Sequence, residues 1–507
     1  MAPLKTILCC LIVLSVSSVA GGQEIIEQFK SRVSRFTLNN QVTFLVVERH
    51  RAPVVSCVTF VDTGGANEPR GNTGMAHFLE HMAFKGTPDI GTKNWEAEKA
   101  CLKKLDKAYA QWLQAKFHPV EHSRDKLQQL RRNFERLRQK AAQYAVPNAY
   151  AKVLEKNGFT HLNAMTSKDY TMYFCSLPAN RIELWFNLES ARLKHPVFRQ
   201  FYTEKQVILE EKRMRIESDP RGRMMEELLA MAYMAHPYGV PTIGWKTDIA
   251  TTTRPDMVAF YKQHYISSNI TIVVAGDVNL EQIKSLAGTY FAHMKPEESK
   301  SPFITREPKQ RSIRRFKKTG PNHPIYMEAY HTVNQMHQDA KPLRLLADML
   351  SEGRISRFYQ QLVVKEGLAQ TIRVYNGFPG DKYPGLFLIY AIPRRGVSLK
   401  RLKEGIRQVI TRLVQQGVRP EELQRAKTGI RADLIRKLNS NLGLAQELAE
   451  AEAQKGGWQE VFHSLKAYEQ VKADQVDSVA EKYLVPENRT SGRLLLREDG
   501  EGQVNGD

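Results

Sequence analysis

Two histidines four residues apart stand in the run His77-Phe78-Leu79-Glu80-His81. On a helix, that spacing puts both imidazoles on one face, one turn apart. Two of the four tetrahedral positions of a zinc ion can then be filled from one rigid element. Glu80 flanks the pair, where it can reach a water without binding the metal. Such a water needs a base, because zinc lowers its pKa only to about 7. The chemistry these residue types allow is metal-assisted hydrolysis. A third protein ligand is required, and Glu204-Lys-Gln-Val-Ile-Leu-Glu210-Glu211 offers one. Glu204 and Glu211 lie nearly two helical turns apart and share a face, while Glu210 lies about 100° round from Glu211. On the residues alone, this stretch reads equally as a solvated acidic face, and Glu210 stays open beside Glu211.

The order His-x-x-Glu-His is that of an inverted zinc-peptidase motif. Gly71-Asn-Thr-Gly-Met-Ala precedes it and Met82-Ala-Phe-Lys-Gly-Thr-Pro88 follows it. The whole segment resembles the active site of the insulinase/pitrilysin family of zinc metallopeptidases, and closely that of the mitochondrial processing peptidase beta branch. The resemblance implies Zn2+, one per chain, held by His77, His81 and Glu211. It implies Glu80 as general base and then acid, with Glu204 orienting a ligand from behind. The run Gly158-Phe-Thr-His-Leu-Asn163-Ala164-Met-Thr-Ser resembles the family's substrate-edge strand. Asn163 and Ala164 would there meet the backbone of a peptide substrate, which joins the sheet edge as an extra strand. Read without the family, it opens an ordinary alternating strand.

These residues need a scaffold, and the chain reads as a duplicated one. Helix, short loop and strand follow one another near residue 265, and the same order returns near residue 483. The expected fold class is α+β: two related domains, each an antiparallel-rich sheet with helices packed on one side, plus an inserted helical hairpin. The expected boundaries are a signal peptide at 1–20, a catalytic domain at 30–296, a linker at 297–320 and a second domain at 321–497 without the metal site. The hairpin, within 95–150, shows in the three-and-four spacing of Trp95, Leu102, Leu105, Tyr109 and Trp112. Leu127, Leu130, Phe134, Leu137, Ala141 and Tyr144 repeat it after a break at His118-Pro119. It reads as an antiparallel pair closed by its own apolar seam, and it lengthens the usual family gap between the histidines and the third ligand. Strands at Ile325–His331 and helices at 399–416 and 420–439 are expected in the second domain.

Composition bounds the function classes. With 42% hydrophobic and 25% charged residues, this is a globular chain, and 507 residues suit two or more domains. Lys5, the apolar run Thr6 to Val19 and Ser18-Val19-Ala20 make a secretory leader. The run is short for a membrane span and lacks the arginines of a mitochondrial transit peptide. Secretion is expected, to the periplasm if the source is Gram-negative, with no integral membrane segment after cleavage. Cys57, Cys101 and Cys175 then remain, an odd set that reads as small core residues. The net charge is +20. No nucleic-acid motif accompanies it, so no nucleic-acid partner is expected, and the basic stretches at 96–156 and Arg306–Lys318 read as a solvated helical pair and a solvated linker.

One family feature fails. Members that complete their own site carry an Arg and a Tyr, seven apart, that bind the substrate carbonyl and the oxyanion. The matching positions here are Val363 and Gln370, which can supply neither charge nor phenol. The reading is a secreted zinc metalloendopeptidase that cleaves peptides or unfolded segments. A homologous partner subunit would supply the Arg and Tyr in a heterodimer. The alternative is a non-catalytic scaffold or assembly subunit of the same fold.

Overall fold

The computed structural model describes residues 30–496, apart from 119–122, 293, 295, 297–303 and 321–322. The leader lies outside the described residues. The first domain contains β1 (Val33–Thr37), β2 (Thr43–Glu48), β3 (Val54–Val61), α1 (Met75–Met82), α2 (Trp95–Phe117), α3 (Arg124–Ala142), α4 (Ala149–Lys156), β4 (Thr160–Thr166), β5 (Thr171–Pro178), α5 (Ile182–Lys194), α6 (Phe201–Lys212), α7 (Pro220–Ala232), α8 (Lys246–Thr251), α9 (Arg254–His264), β6 (Ile270–Gly276) and α10 (Leu280–Phe291). The second contains β7 (Arg314–Gly320), β8 (Ile325–His331), α11 (Ala340–Ser351), β9 (Ala369–Phe378), β10 (Leu386–Pro393), α12 (Leu399–Gln416), α13 (Pro420–Asn439), α14 (Asn441–Gln454), α15 (Glu460–Gln470), α16 (Ala473–Tyr483) and β11 (Arg489–Leu496).

The sheets repeat one plan. The first runs β1-β2-β6-β3-β5-β4 and the second β7-β11-β8-β10-β9. Each has a single parallel pair, β2 with β6 and β7 with β11, and is otherwise antiparallel. The duplicated helix, loop and strand are α9 to β6 and α16 to β11, as the sequence suggests. The stretch expected as a linker is not all linker. Arg314–Gly320 forms β7, paired along its length with β11. Its charges hid it, but Arg and Lys suit an edge strand, whose open side they guard against pairing.

Each sheet carries its own helices on one face, and a helix of the other domain covers the opposite face. Phe44, Val46, Cys57, Cys175, Ile272 and Val274 face the first domain's own helices. The alternate residues Leu45, Val47, Val58, Phe60, Val273 and Ala275 pack on Leu444, Ala445, Leu448 and Ala449 of α14. In return, Met224, Leu228, Leu229 and Ala232 of α7 cover Ile325, Met327, Leu386, Leu388 and Leu494 of the second sheet. Strands buried on both faces read as continuous apolar runs, and all seven residues of β6 are buried. The three cysteines are buried and unpaired.

The hairpin exists as α2 and α3, and Trp112 stacks on Phe134 across it at 5.7 Å, but its seam is not closed by the pair alone. Cys101, Leu102, Leu105, Ala108, Tyr109, Phe134 and Leu137 belong to the first domain's main core. Tyr109 lies 4.3 Å, ring to ring, from Tyr202 on α6, and its hydroxyl donates to the Ala250 carbonyl at 2.6 Å. Glu98, in the first turn of α2, holds Arg199 at 3.0 Å, and both are almost fully buried. Helical periodicity shows that a face is apolar, not which surface covers it. Replacing residues 96–155 by a short loop is therefore expected to abolish the cooperative unfolding transition. Excising only 113–130 should preserve it. Glu98→Gln leaves the buried Arg199 guanidinium without its counter-charge and should cost about 3–5 kcal/mol in urea unfolding.

Candidate active site

Helix α1 is fixed at both ends. At its start, Glu68 accepts from the backbone N–H of Gly74 (2.7 Å) and Ala76 (2.8 Å), filling donors that a helix N-terminus leaves open. Burial pushes the Glu68 carboxyl up to about 7, against the pull of Lys168 and of these two N–H groups. Gly74 has φ +87°, and a Cβ there would fall 2.4 Å from the Ile243 carbonyl oxygen, so only glycine fits this crossing of two loops. In the middle, Phe78 stacks on Phe201 of α6 at 4.4 Å. After its end, Arg199 donates to the carbonyls of Lys85 (2.5 Å), Thr87 (2.7 Å) and Ile90 (2.8 Å). The apolar residues inside the motif thus press the helix onto the element that bears the acidic residues.

Those residues converge. His77, His81 and Glu211 offer donor atoms within 4.8 Å of one another. The Nε2 atoms of His77 and His81 face Glu211 at 3.7 and 3.5 Å. Glu210 points away, exposed and bound to Arg213, so of the two acidic candidates the fold brings Glu211 to the histidines. On the far side, His81 Nδ1 meets Glu204 Oε1 at 2.9 Å, and Lys85 Nζ meets Glu204 Oε2 at 2.5 Å. With Nδ1–H donating to a carboxylate, Nε2 keeps its lone pair for a metal. The buried Nδ1 of His77 has no partner among the described residues. Two imidazole nitrogens and a carboxylate, with one ring locked from behind, form a donor set that fits zinc.

The electrostatics divide the group. Burial, then the neighbouring His81 and Arg215, press His77 down to about 3, so it stays neutral at ordinary pH. Burial alone would lower His81 as well, but the Glu204 hydrogen bond and charge raise it above its ordinary value. Burial also raises Glu80 against the pull of Thr166 and His81. Glu204 is held below its ordinary value because the His81 and Lys85 bonds outweigh its burial.

The edge strand β4 runs beside these groups, with β5 on one side and, among the described residues, no strand on the other. A register shift between Thr160 and Asn163, with His161 at φ +51°, bulges the strand ahead of the expected substrate pair. Asn163 and Ala164 line a cleft with Glu80, His81, Phe84 and Glu204. All residues lining that cleft belong to the first domain. Val363 packs on the second domain's core and Gln370 is exposed on β9, so neither lines it. The sequence reading missed Glu68, Lys85, Thr166 and Arg215. Lys85 stands inside the quoted motif flank, and Thr166 follows Ala164 at strand period, so both had a signal.

A family model described as Insulinase (Peptidase family M16) matches residues 43–109 and 134–246, and one described as Peptidase M16 inactive domain matches 251–430. The chain belongs to the insulinase family, peptidase family M16. The gap in the first match, residues 110–133, falls inside the insertion expected within 95–150 and takes in the end of α2 and the start of α3. Among relatives of this M16 chain, the zinc protease PqqE of Helicobacter pylori is 26% identical over 81% of each chain. A probable mitochondrial-processing peptidase subunit beta of Schizosaccharomyces pombe is 24% identical over 81% of this chain and 80% of its own. A solved protease from Helicobacter pylori superposes with TM-score 0.76 at 23% identity, over 91% of this chain and 99% of its own. The periplasmic protease PqqL of Escherichia coli superposes with TM-score 0.67 at 14% identity, over 92% of this chain but 47% of its own.

The shifts of His81 and Glu204 fix a pH window for the metal-free protein. His81 is raised, so its share of stability is present below its ordinary value of 6.5 and lost as pH rises through the higher folded value. Glu204 is lowered, so its share is present above its ordinary value of 4.5 and lost as pH falls. A double-mutant cycle of His81→Gln and Glu204→Gln, followed by thermal unfolding, should show coupling greatest between pH 4.5 and 6.5 and smaller on either side.

Proposed function

We propose that this M16 chain is an exported zinc metalloendopeptidase and the catalytic subunit of a heterodimer. The observation that carries the reading is the convergence of His77, His81 and Glu211 beside a free sheet edge, with Glu80 in the same cleft. His77, His81 and Glu211 would hold zinc, which when bound supplies Lewis-acid polarisation of a carbonyl and of a water. Glu80 takes the proton of the attacking water and passes it to the leaving nitrogen, and its raised pKa suits both roles. Glu204 keeps His81 in one tautomer and one orientation. Asn163 and Ala164 present main-chain groups to an extended peptide.

The reading favours unfolded substrate, because strand addition engages backbone that a folded protein has already paired. Homologues named zinc proteases support the chemistry. The scaffold alternative is weaker, because His77, Glu80, His81 and Glu211 are all retained and assembled. Export rests on residues 1–20, and a structural relative described as periplasmic supports it.

Glu80→Gln should keep about one zinc per chain and lose about 10²–10⁴-fold in peptide hydrolysis. Glu211→Gln should lose zinc in metal analysis, whereas Glu210→Gln should not. Zinc retention with undiminished hydrolysis in Glu80→Gln would remove Glu80 from the mechanism.

Hydrolysis also needs a donor at the developing oxyanion, worth about 10²–10³-fold. Val363 and Gln370 leave that role to another chain. The first half of PqqL superposes over 92% of this chain and 92% of its own length, so a chain of this size fits one half of a two-half enzyme. The isolated chain should bind zinc and cleave peptides poorly, and a homologous subunit with the Arg and Tyr should restore turnover. High turnover by the single purified chain would refute the heterodimer.

A further inference from the structure

We propose that Thr166 is the positioning residue of the general base: its hydroxyl holds one oxygen of Glu80 and so decides which oxygen receives the proton. The inference rests on the hydrolytic reading of this site. Thr166 Oγ1 donates to Glu80 Oε2 at 2.5 Å, and Oε1 accepts no hydrogen bond from the described residues. The terminal torsion of a glutamate is broad and nearly two-fold, so a carboxylate held at neither oxygen exchanges them freely. With Oε2 occupied by the hydroxyl, the proton leaving the attacking water goes to Oε1. The hydroxyl keeps its own proton throughout, and Oε1 releases the transferred one to the leaving nitrogen.

A hydroxyl can position another group only if it is itself fixed, and the turn after Thr166 is clamped from three sides. Ser167 Oγ accepts from the N–H of Asp169 and Tyr170, both at 3.0 Å. The carbonyls of Ser167 and Lys168 accept from Gly65 (3.0 Å) and Ala66 (2.8 Å), just upstream of the residue that caps α1. Asp169 Oδ1 accepts the Tyr238 hydroxyl at 2.5 Å, and its Oδ2 accepts the N–H of Asp381 (3.1 Å) and Lys382 (3.3 Å) of the second domain. A Cβ on Gly64 would stand 2.6 Å from the Ser167 carbonyl oxygen, so the two loops are in direct contact. The turn therefore takes its place from both domains, and Thr166 transfers that placement to Glu80.

The test compares zinc-loaded wild type, Thr166→Val and Thr166→Ser, each with its partner subunit where one co-purifies. Valine keeps the shape and removes the donor. A lost hydrogen bond to a charged group predicts a fall in kcat of about 10- to 100-fold. KM and zinc content should stay within about 2-fold, and serine should recover most of the rate. Crystal structures supply a readout that does not depend on turnover: in Thr166→Val the Glu80 carboxylate should leave its wild-type orientation. A valine variant with wild-type kcat, or with Glu80 unmoved, overturns the proposal. A wild type without peptidase activity whose Glu80 still turns on loss of the hydroxyl overturns the hydrolytic reading and leaves the positioning role intact.

Discussion

Each sheet has two apolar faces and only one set of its own helices. Burying an apolar side chain is worth about 1.5–3 kcal/mol, and the second face of the first sheet bears Leu45, Val47, Val58, Phe60, Met172, Val273 and Ala275. No single domain of this chain can cover that surface, so α14 and α7 change sides. The exchange seats the 379–383 loop and Gln454 against the first sheet. Lys382 Nζ and Gln454 Nε2 both reach Asp62, and Asp169 is enclosed from the same direction. The polar turn behind Glu80 thus depends on an apolar contact some distance from it.

The site is built from ordinary devices brought together. Helix α1 gives two imidazoles and a carboxylate within one turn, α6 packs against it to add two more carboxylates, and β4 supplies a sheet edge. What converts proximity into a defined donor set is the chain from Lys85 to Glu204 to His81, in which each link fixes the next. The cation at its end keeps Glu204 charged, the charged carboxylate holds the ring proton at Nδ1, and Nε2 is left free.

The convergence of His77, His81 and Glu211 was largely legible because its parts are local: His77, Glu80 and His81 share a helix turn, and Glu204 and Glu211 share a helix face. The choice between Glu210 and Glu211 needed the orientation of α6 against α1, which no periodicity contains. The duplicated order of α9–β6 and α16–β11 was also readable, since apolar runs mark strands buried on both sides. The cover of those strands was not. The sheets that the apolar faces of α7 and α14 cover are chosen by tertiary contact, and α14 looks like any other second-domain helix. Strand β7 was hidden by Arg314, Arg315, Lys317 and Lys318, which disguise an edge strand as linker. The hairpin was found, but its seam was assigned to itself alone because an amphipathic stripe does not name all its partners.

The exchange of helices has a consequence in time. When β6 leaves the ribosome, every strand of the first sheet has been made, yet the helix that covers its outer face has not. That helix begins about 160 residues later, roughly 8–30 s at synthesis rates of 5–20 residues per second. Throughout that interval a broad apolar surface stands open beside a strand edge, the combination most prone to association with other chains. An exported chain of this design would have to cross its membrane before that surface closed, or be held open until it had crossed. The symmetry that makes the finished molecule stable makes its synthesis the exposed stage of its life.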